Sequence, residues 1–271
     1  MHHSSSPGSS KKHSYTPQKS ITPKRIRTLY PMKHSPASFS ANDNTTSSNP
    51  EDDDTTIVNE KTTTCTQYTT EQMATERIRI TKTFDNKDVH HAPVTVVLKG
   101  PTESEDNLTI LVESPLFNDP KDPGGLPGQP FDTIWEYEVV EVFLLNDQDN
   151  YLEVILSPHG QHYVLIQGGY RNKLKVEMPI EYTTTKEESR WSGKAIIPGS
   201  YLPPKVTKWN VYAMHGTGEA RQFESLHGDI NGKHEKPDFH DLSLFGPIDM
   251  GRILPNNWSL EYSSDEWRDY L

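Results

Sequence analysis

The chain has 271 residues and a formal net charge of −11, from 27 Lys+Arg against 38 Asp+Glu. Hydrophobic residues make up 32%, well below the roughly 45–50% of an ordinary globular domain (a count that includes Gly), so part of the chain lacks the means to pack. A single Cys excludes an internal disulfide framework, and no apolar run approaches the roughly 18 residues of a spanning helix or forms a leader near the N-terminus, which argues against a membrane protein and a Sec-secreted one.

Residues 1–75 are rich in Ser, Thr, Pro, Asn and His and poor in aliphatics. Such a segment cannot bury enough apolar area to offset its ordering entropy, so a disordered low-complexity tail is expected there. The tail carries eight basic and seven acidic side chains, which leaves residues 76–271 with 19 bases, 31 acids and a net charge of −12. The acidity of the folded part argues against generic nucleic-acid binding. Ser6-Pro7, Thr16-Pro17, Thr22-Pro23 and Ser35-Pro36 fit ordinary disordered composition, or proline-directed phosphorylation that cancels the basic first third of the tail. The free thiol of Cys65 suits a reducing compartment, cytoplasmic or nuclear.

From Glu76 the character changes. Short runs rich in Val, Ile, Leu, Tyr and Thr alternate with Gly/Pro/Asn/Asp clusters. Strands are predicted at 77–83, 94–99, 108–113, 134–145, 151–157, 162–167, 174–178, 180–185, 190–197, 209–215 and 222–225. None holds a helical period over three turns, and strand runs so spaced read as an all-β antiparallel β-sandwich spanning 76–271. Residues 256–271 form either a short helix or an edge cover.

The hairpin over 134–157 supports geometry. The loop Asn146-Asp147-Gln148-Asp149-Asn150 is made of turn formers, and its shortest closure pairs Leu145 with Tyr151. Side chains alternate between faces. One face then carries Val140, Val142, Leu144, Leu152, Val154 and Leu156, an aliphatic set assigned to the inter-sheet core. The other carries Trp135, Tyr137, Val139, Glu141, Phe143, Leu145, Tyr151, Glu153 and Ile155. Aromatics with a few fixed polar groups suit a ligand offering both C–H faces and hydroxyls, such as a sugar. In this register Glu141 and Glu153 are diagonal neighbours, on the order of 7–8 Å apart at Cα. The same face also reads as a second core layer, with both carboxylates satisfied by Arg171 or Arg190.

Val139–Leu144, Tyr151–Val154, Ser157-Pro158-His159-Gly160 and Trp191-Ser192-Gly193-Lys194-Ala195-Ile196-Ile197-Pro198 together resemble the central signature of the DOMON-like β-sandwich group, which includes the family-nine carbohydrate-binding modules. The match spans roughly residues 108–215. The resemblance implies a sandwich fold, and it carries over Trp135 and Glu141 as positions comparable to ligand contacts. A closer resemblance rests on Pro115-Leu116-Phe117-Asn118-Asp119-Pro120, Pro127-Gly128-Gln129-Pro130-Phe131, Ile134–Glu141, Ser157–His162 and Lys236-Pro237-Asp238-Phe239-His240. These are similar to an uncharacterised eukaryotic family whose human member bears an open-reading-frame label on chromosome four. That family brings no established activity, and the tail extends beyond its shared domain.

Signatures of catalysis are weak. There is no Gly-x-Ser-x-Gly elbow beside His215-Gly216-Thr217-Gly218, and no phosphate-cradling or dinucleotide motif. No spacing among the twelve His gives a zinc set, since His-Glu-x-x-His is absent and thiolate sets need more than one Cys; the histidines are expected in turns and on the surface. The expectation is therefore a non-catalytic ligand-binding module, with no cofactor and no metal, whose ligand residues are Trp135, Tyr137, Glu141, Tyr151, Glu153, His159 and His215. Its partner is a small polar ligand or saccharide, or else a protein. The alternatives are an intracellular hydrolase-like enzyme using Glu141 and Glu153 with His159 or His215, and a protein-interaction adaptor. An open pocket at the carboxylates keeps the binding module and the hydrolase; carboxylates sealed under aromatic side chains remove both.

Overall fold

The structure, a computed structural model, describes residues 75–101, 107–254 and 264–271. The expectations for the tail, from its disorder to its Ser/Thr-Pro pairs and Cys65, lie outside the described residues. Among the described residues there is no α-helix, and none is long and apolar enough to cross a membrane.

Thirteen strands are present among the described residues: β1 (Thr75–Ile80), β2 (Lys82–Thr83), β3 (Val94–Lys99), β4 (Asn107–Pro115), β5 (Val139–Asn146), β6 (Asn150–Leu156), β7 (His162–Gly168), β8 (Lys173–Lys175), β9 (Glu181–Lys186), β10 (Arg190–Pro198), β11 (Val206–His215), β12 (Gln222–Ser225) and β13 (Gly246–Pro247). They form two antiparallel sheets. The smaller runs β1-β3-β4-β10-β9, and the larger runs β2-β12-β11-β5-β6-β7-β8 with β13 added against β11. The fold is an all-β antiparallel sandwich.

Alternation builds the core. Val94, Val96 and Leu98 of β3, Leu108, Ile110 and Val112 of β4, and Trp191, Ala195 and Ile197 of β10 face Val140, Val142 and Leu144 of β5, Leu152, Val154 and Leu156 of β6, and Val211 and Ala213 of β11. Each such aliphatic side chain, fully buried, contributes about 1.5–3 kcal/mol. The hairpin pairs Leu145 with Tyr151, the register expected from its loop, and its aliphatic face is the inter-sheet core.

Three predicted strands change shape. The run 77–83 divides at Thr81: β1 pairs β3 in the smaller sheet and β2 pairs β12 in the larger, so this short segment crosses the sandwich. The run 134–145 starts instead with a 3-10 turn, Ile134–Glu136, entered through Thr133 in the left-handed region at φ 65. Arg221 donates to the carbonyls of Trp135, Glu136 and Tyr137, which engages those acceptors and leaves β5 to begin at Val139. The run 174–178 is strand only as far as Lys175, because Glu177 takes φ 56, outside the strand region.

Candidate functional site

The aromatic face of the hairpin is covered. Phe143, Tyr151, Leu145 and Tyr212 form one buried cluster with Phe84 and Phe245. Ile134, Val139, Ile155, Tyr163, Leu165 and Met214 form another, with Phe131, Trp135 and Phe239 packed against it. The cover is the segment 229–247 that leads to β13. Phe239 stacks on Tyr212 at 4.0 Å, Phe245 sets its edge to Phe143 at 5.7 Å, and the His240 ring hydrogen-bonds the Tyr151 hydroxyl through Nδ1 at 2.8 Å. The face is thus a second core layer.

Glu141 and Glu153 lie inside that layer, 3% and 5% exposed. They are diagonal across the hairpin, with Glu141 opposite Ile155 and Phe143 opposite Glu153. Burial pushes the Glu141 carboxyl well above its usual range, and the neighbouring Glu153 pushes it further, against the pull of Arg221 and Arg171. Burial also pushes Glu153 up to about 8, opposed by Lys173, by a hydrogen bond from the Gln167 amide and by Arg171. Two like carboxyls this close do not both ionise cheaply, so a neutral acid within the pair is the stable arrangement at neutral pH. The carboxylates are sealed under aromatic side chains, and the predicted open ligand face and the hydrolase arrangement built on it are both absent there.

The remaining predicted residues are dispersed. Trp135 and Tyr137 are half-buried; Lys173 lies 5.1 Å above the Trp135 ring, and Tyr137 meets the edge of Phe131. His159 lies in the turn between β6 and β7, where its Nδ1 is 2.8 Å from the Lys186 ammonium. The expectation of turn and surface histidines fails at His162, which is fully buried in β7, where burial takes its pKa down to about 4. His215 ends β11 on the same side as Ala213, turned toward the inter-sheet core and away from the Trp135 face.

At that end of the sandwich a cluster forms that sequence reasoning missed. Glu224 of β12 pairs with Ala213, and His215 pairs with Gln222, so His215 and Glu224 are diagonal neighbours on one face. His91, just before β3, reaches the same carboxylate. Its Nε2 is 2.8 Å from Glu224 Oε1, and His215 Nε2 is 3.0 Å from that oxygen. Phe117 lies flat on the His215 ring at 3.5 Å and takes the edge of His91 at 4.9 Å. Phe117 is itself held by Glu138, which accepts the backbone N–H groups of Phe117 and Asn118.

Beside His91 opens a cleft of about 620 Å³, whose walls include Thr95, Glu113, Thr185, Trp191 and Ser192. The strand register sets Thr95 beside Glu113, Glu113 beside Ser192 and Ser192 beside Thr185. Four polar side chains thereby form a row across β3, β4, β10 and β9, at strand spacings of about 4.8 Å. Trp191 alternates with Ser192 and points from β10 into the core, where its indole Nε1 is buried with no hydrogen-bond partner. A second cleft, about 770 Å³, opens at the hairpin tip among Asp149, Asn150, Gly169, Pro204 and Tyr270; its walls are mainly turns.

The chain is 44% identical to the mouse UPF0462 protein C4orf33 homolog over 186 residues, covering 66% of this chain and 94% of the mouse protein. It is 41% identical to the human UPF0462 protein C4orf33 over 195 residues, covering 70% and 95%. The chain belongs to the UPF0462 protein C4orf33 family. The zebrafish homolog, at 38% identity, is likewise covered over 95% of its length, so the shared unit is nearly the whole of these relatives. No protein-family model matches the chain. Among solved structures, one from Bacteroides uniformis described as a "putative carbohydrate-binding protein" aligns with TM-score 0.48 and 14% identity, over 64% of this chain and 84% of that one; likeness of that degree carries no functional argument. In this UPF0462 member the open chemistry lies at the sandwich end between His91 and Trp191, where a row of polar side chains adjoins a histidine–carboxylate cluster.

Proposed function

We propose that this domain is a non-catalytic module that binds a small polar ligand of the saccharide class in the cleft between His91 and Trp191. The observation that carries the reading is the row Thr95, Glu113, Ser192 and Thr185, set side by side on the open face of the smaller sheet in the wall of that cleft. The row offers three hydroxyls and a carboxylate, groups that exchange hydrogen bonds with a polyhydroxylated molecule. A volume of about 620 Å³ lies within the roughly 300–1,000 Å³ of small-molecule sites. The cleft also rests on strands, which hold polar groups more precisely than the turns around the hairpin-tip cleft. The sealed carboxylates Glu141 and Glu153 are outside this site and serve as a polar element of the core.

A glycan array and a thermal-shift screen of saccharides and small polar metabolites on the full-length chain test the reading. The expected result is a saccharide that raises the unfolding temperature of the wild type and leaves Ser192→Trp unmoved, since Ser192 is exposed in the cleft wall and an indole there fills the space. A wild type that responds to no saccharide, or a response that survives Ser192→Trp, overturns it.

A further inference from the structure

The structure assigns a second site: we infer that His91, His215 and Glu224 form a binding site for a divalent transition-metal ion, with a coordination position left open at the mouth of the sandwich.

The argument begins with the His91 tautomer. Its Nδ1 is 2.9 Å from the Ala92 carbonyl oxygen. A carbonyl only accepts, so Nδ1 carries the proton and donates it there. In a neutral ring Nε2 then presents a lone pair, yet Nε2 sits 2.8 Å from a carboxylate oxygen of Glu224. Two facing lone pairs at that distance need a proton or a cation between them. A backbone carbonyl taking the far N–H is also how metal-bound histidines are oriented, since it fixes both tautomer and ring.

The rest of the cluster adds to this. His215 brings a second Nε2 to the same carboxylate at 3.0 Å, and one ligand atom from each of the three residues lies within 4.8 Å of the others. Bonds of about 2.0–2.2 Å in tetrahedral geometry place ligand atoms roughly 3.3 Å apart, so small side-chain adjustments bring the set to an ion. The Glu224 side chain is 1% exposed, and its second oxygen is buried with no hydrogen-bond partner. That oxygen is unexplained by the protein alone, because an unpaired buried charge is expensive. Two imidazoles and one carboxylate favour zinc and its first-row neighbours over magnesium or calcium, which prefer all-oxygen sets. Phe117, stacked on His215 and tied down through Glu138, restricts the rings. Three protein ligands leave the fourth position open, and His91 stands in the wall of the 620 Å³ cleft. The site does not depend on the saccharide reading, since its ligands are separate from the row Thr95–Glu113–Ser192–Thr185.

The test uses full-length protein stripped with a chelator and titrated with Zn²⁺ alone by calorimetry, then with Co²⁺ alone by absorption. The expected result is one tight equivalent and the ligand-field bands of nitrogen- and oxygen-coordinated Co²⁺. His91→Ala and His215→Ala are each expected to weaken binding by about a hundredfold or more, since even an outer-shell change costs roughly 10–100-fold. His90→Ala is the control, because His90 is exposed beside the site and its loss is expected to leave binding unchanged. His91 keeps 24% of its side chain exposed, so its variant reads binding with the fold intact by circular dichroism, even where His215→Ala unfolds. A wild type without a tight equivalent, or binding that persists in folded His91→Ala, overturns the assignment and leaves a proton shared between imidazole and carboxylate.

Discussion

Two carboxyls set among aromatic rings define the chemistry of the outer layer. Removing Glu141 and Glu153 from water favours their neutral forms, and each is nearly fully buried. The sign of the pH dependence follows. Glu153 is raised from a usual value near 4.5 to about 8, so between those values the folded state holds a proton that the unfolded chain has lost. The stability this confers is complete below pH 4.5 and is lost as the pH rises through 8, at up to about 1.4 kcal/mol per pH unit. Thermal unfolding of the wild type is expected to fall from pH 5 to pH 9. Glu153→Gln, neutral at every pH and able to meet the Gln167 amide, is expected to flatten that fall and to be the more stable protein at pH 9. A variant with the wild-type slope would place the titration elsewhere. The pairing of these residues was legible in the hairpin sequence, because both strands alternate cleanly across a five-residue turn-forming loop. Their burial was not, because the cover comes from residues 229–247, a largely polar, turn-rich segment whose apolar residues gather late, at Phe239, Leu242, Leu244 and Phe245.

That cover depends on one side chain of β11. Asn210 is fully buried. Its amide donates to the Tyr212 hydroxyl and to the carbonyls of His227 and Leu244, while its oxygen accepts from the backbone N–H groups of Val211 and His227. One residue thus ties the strand to Leu244 within the covering segment and to His227 just before it. Asn210→Leu, similar in size but without polar atoms, leaves several buried partners unsatisfied and is expected to cost about 3 kcal/mol in urea unfolding. A cost under about 0.5 kcal/mol, the range of ordinary surface changes, would show that apolar packing alone holds the segment. The strand carrying Asn210 also shows why the histidine site escaped sequence reasoning. His91 and Glu224 are 133 residues apart, and His215 and Glu224 are nine apart. Neither spacing matches a local ligand motif, and only the β11–β12 register and the crossing between β1 and β2 bring the three together.

At the scale of the molecule, two sheets close over one aliphatic core, and the chain returns late to seal it. Residues 256–271 were expected to form a helix or an edge cover; the described part, 264–271, is a series of turns that plants Trp267 in the core with no exposure. Its indole donates to the Tyr201 carbonyl at 3.1 Å. Trp267→Ala is expected to cost about 3–5 kcal/mol, and a loss below 1 kcal/mol in chemical unfolding would mean that the terminal segment is dispensable. The sandwich itself was legible from strand spacing and from the aliphatic stripe of the hairpin, which a period of two assigns to one face. The row of the proposed site lies on the open face of the smaller sheet, in the cleft that His91 also lines. The account rests on the row Thr95, Glu113, Ser192 and Thr185 meeting a ligand in the cleft, and the nitrogen–proton NMR spectrum of the full-length protein reads that row directly. The backbone amide signal of Ser192, assigned by comparison with Ser192→Ala, is expected to move when the saccharide found by screening is added, while the indole signal of Trp135 stays in place. Movement at Trp135 with Ser192 unchanged would contradict the account and return the ligand to the aromatic face of the hairpin.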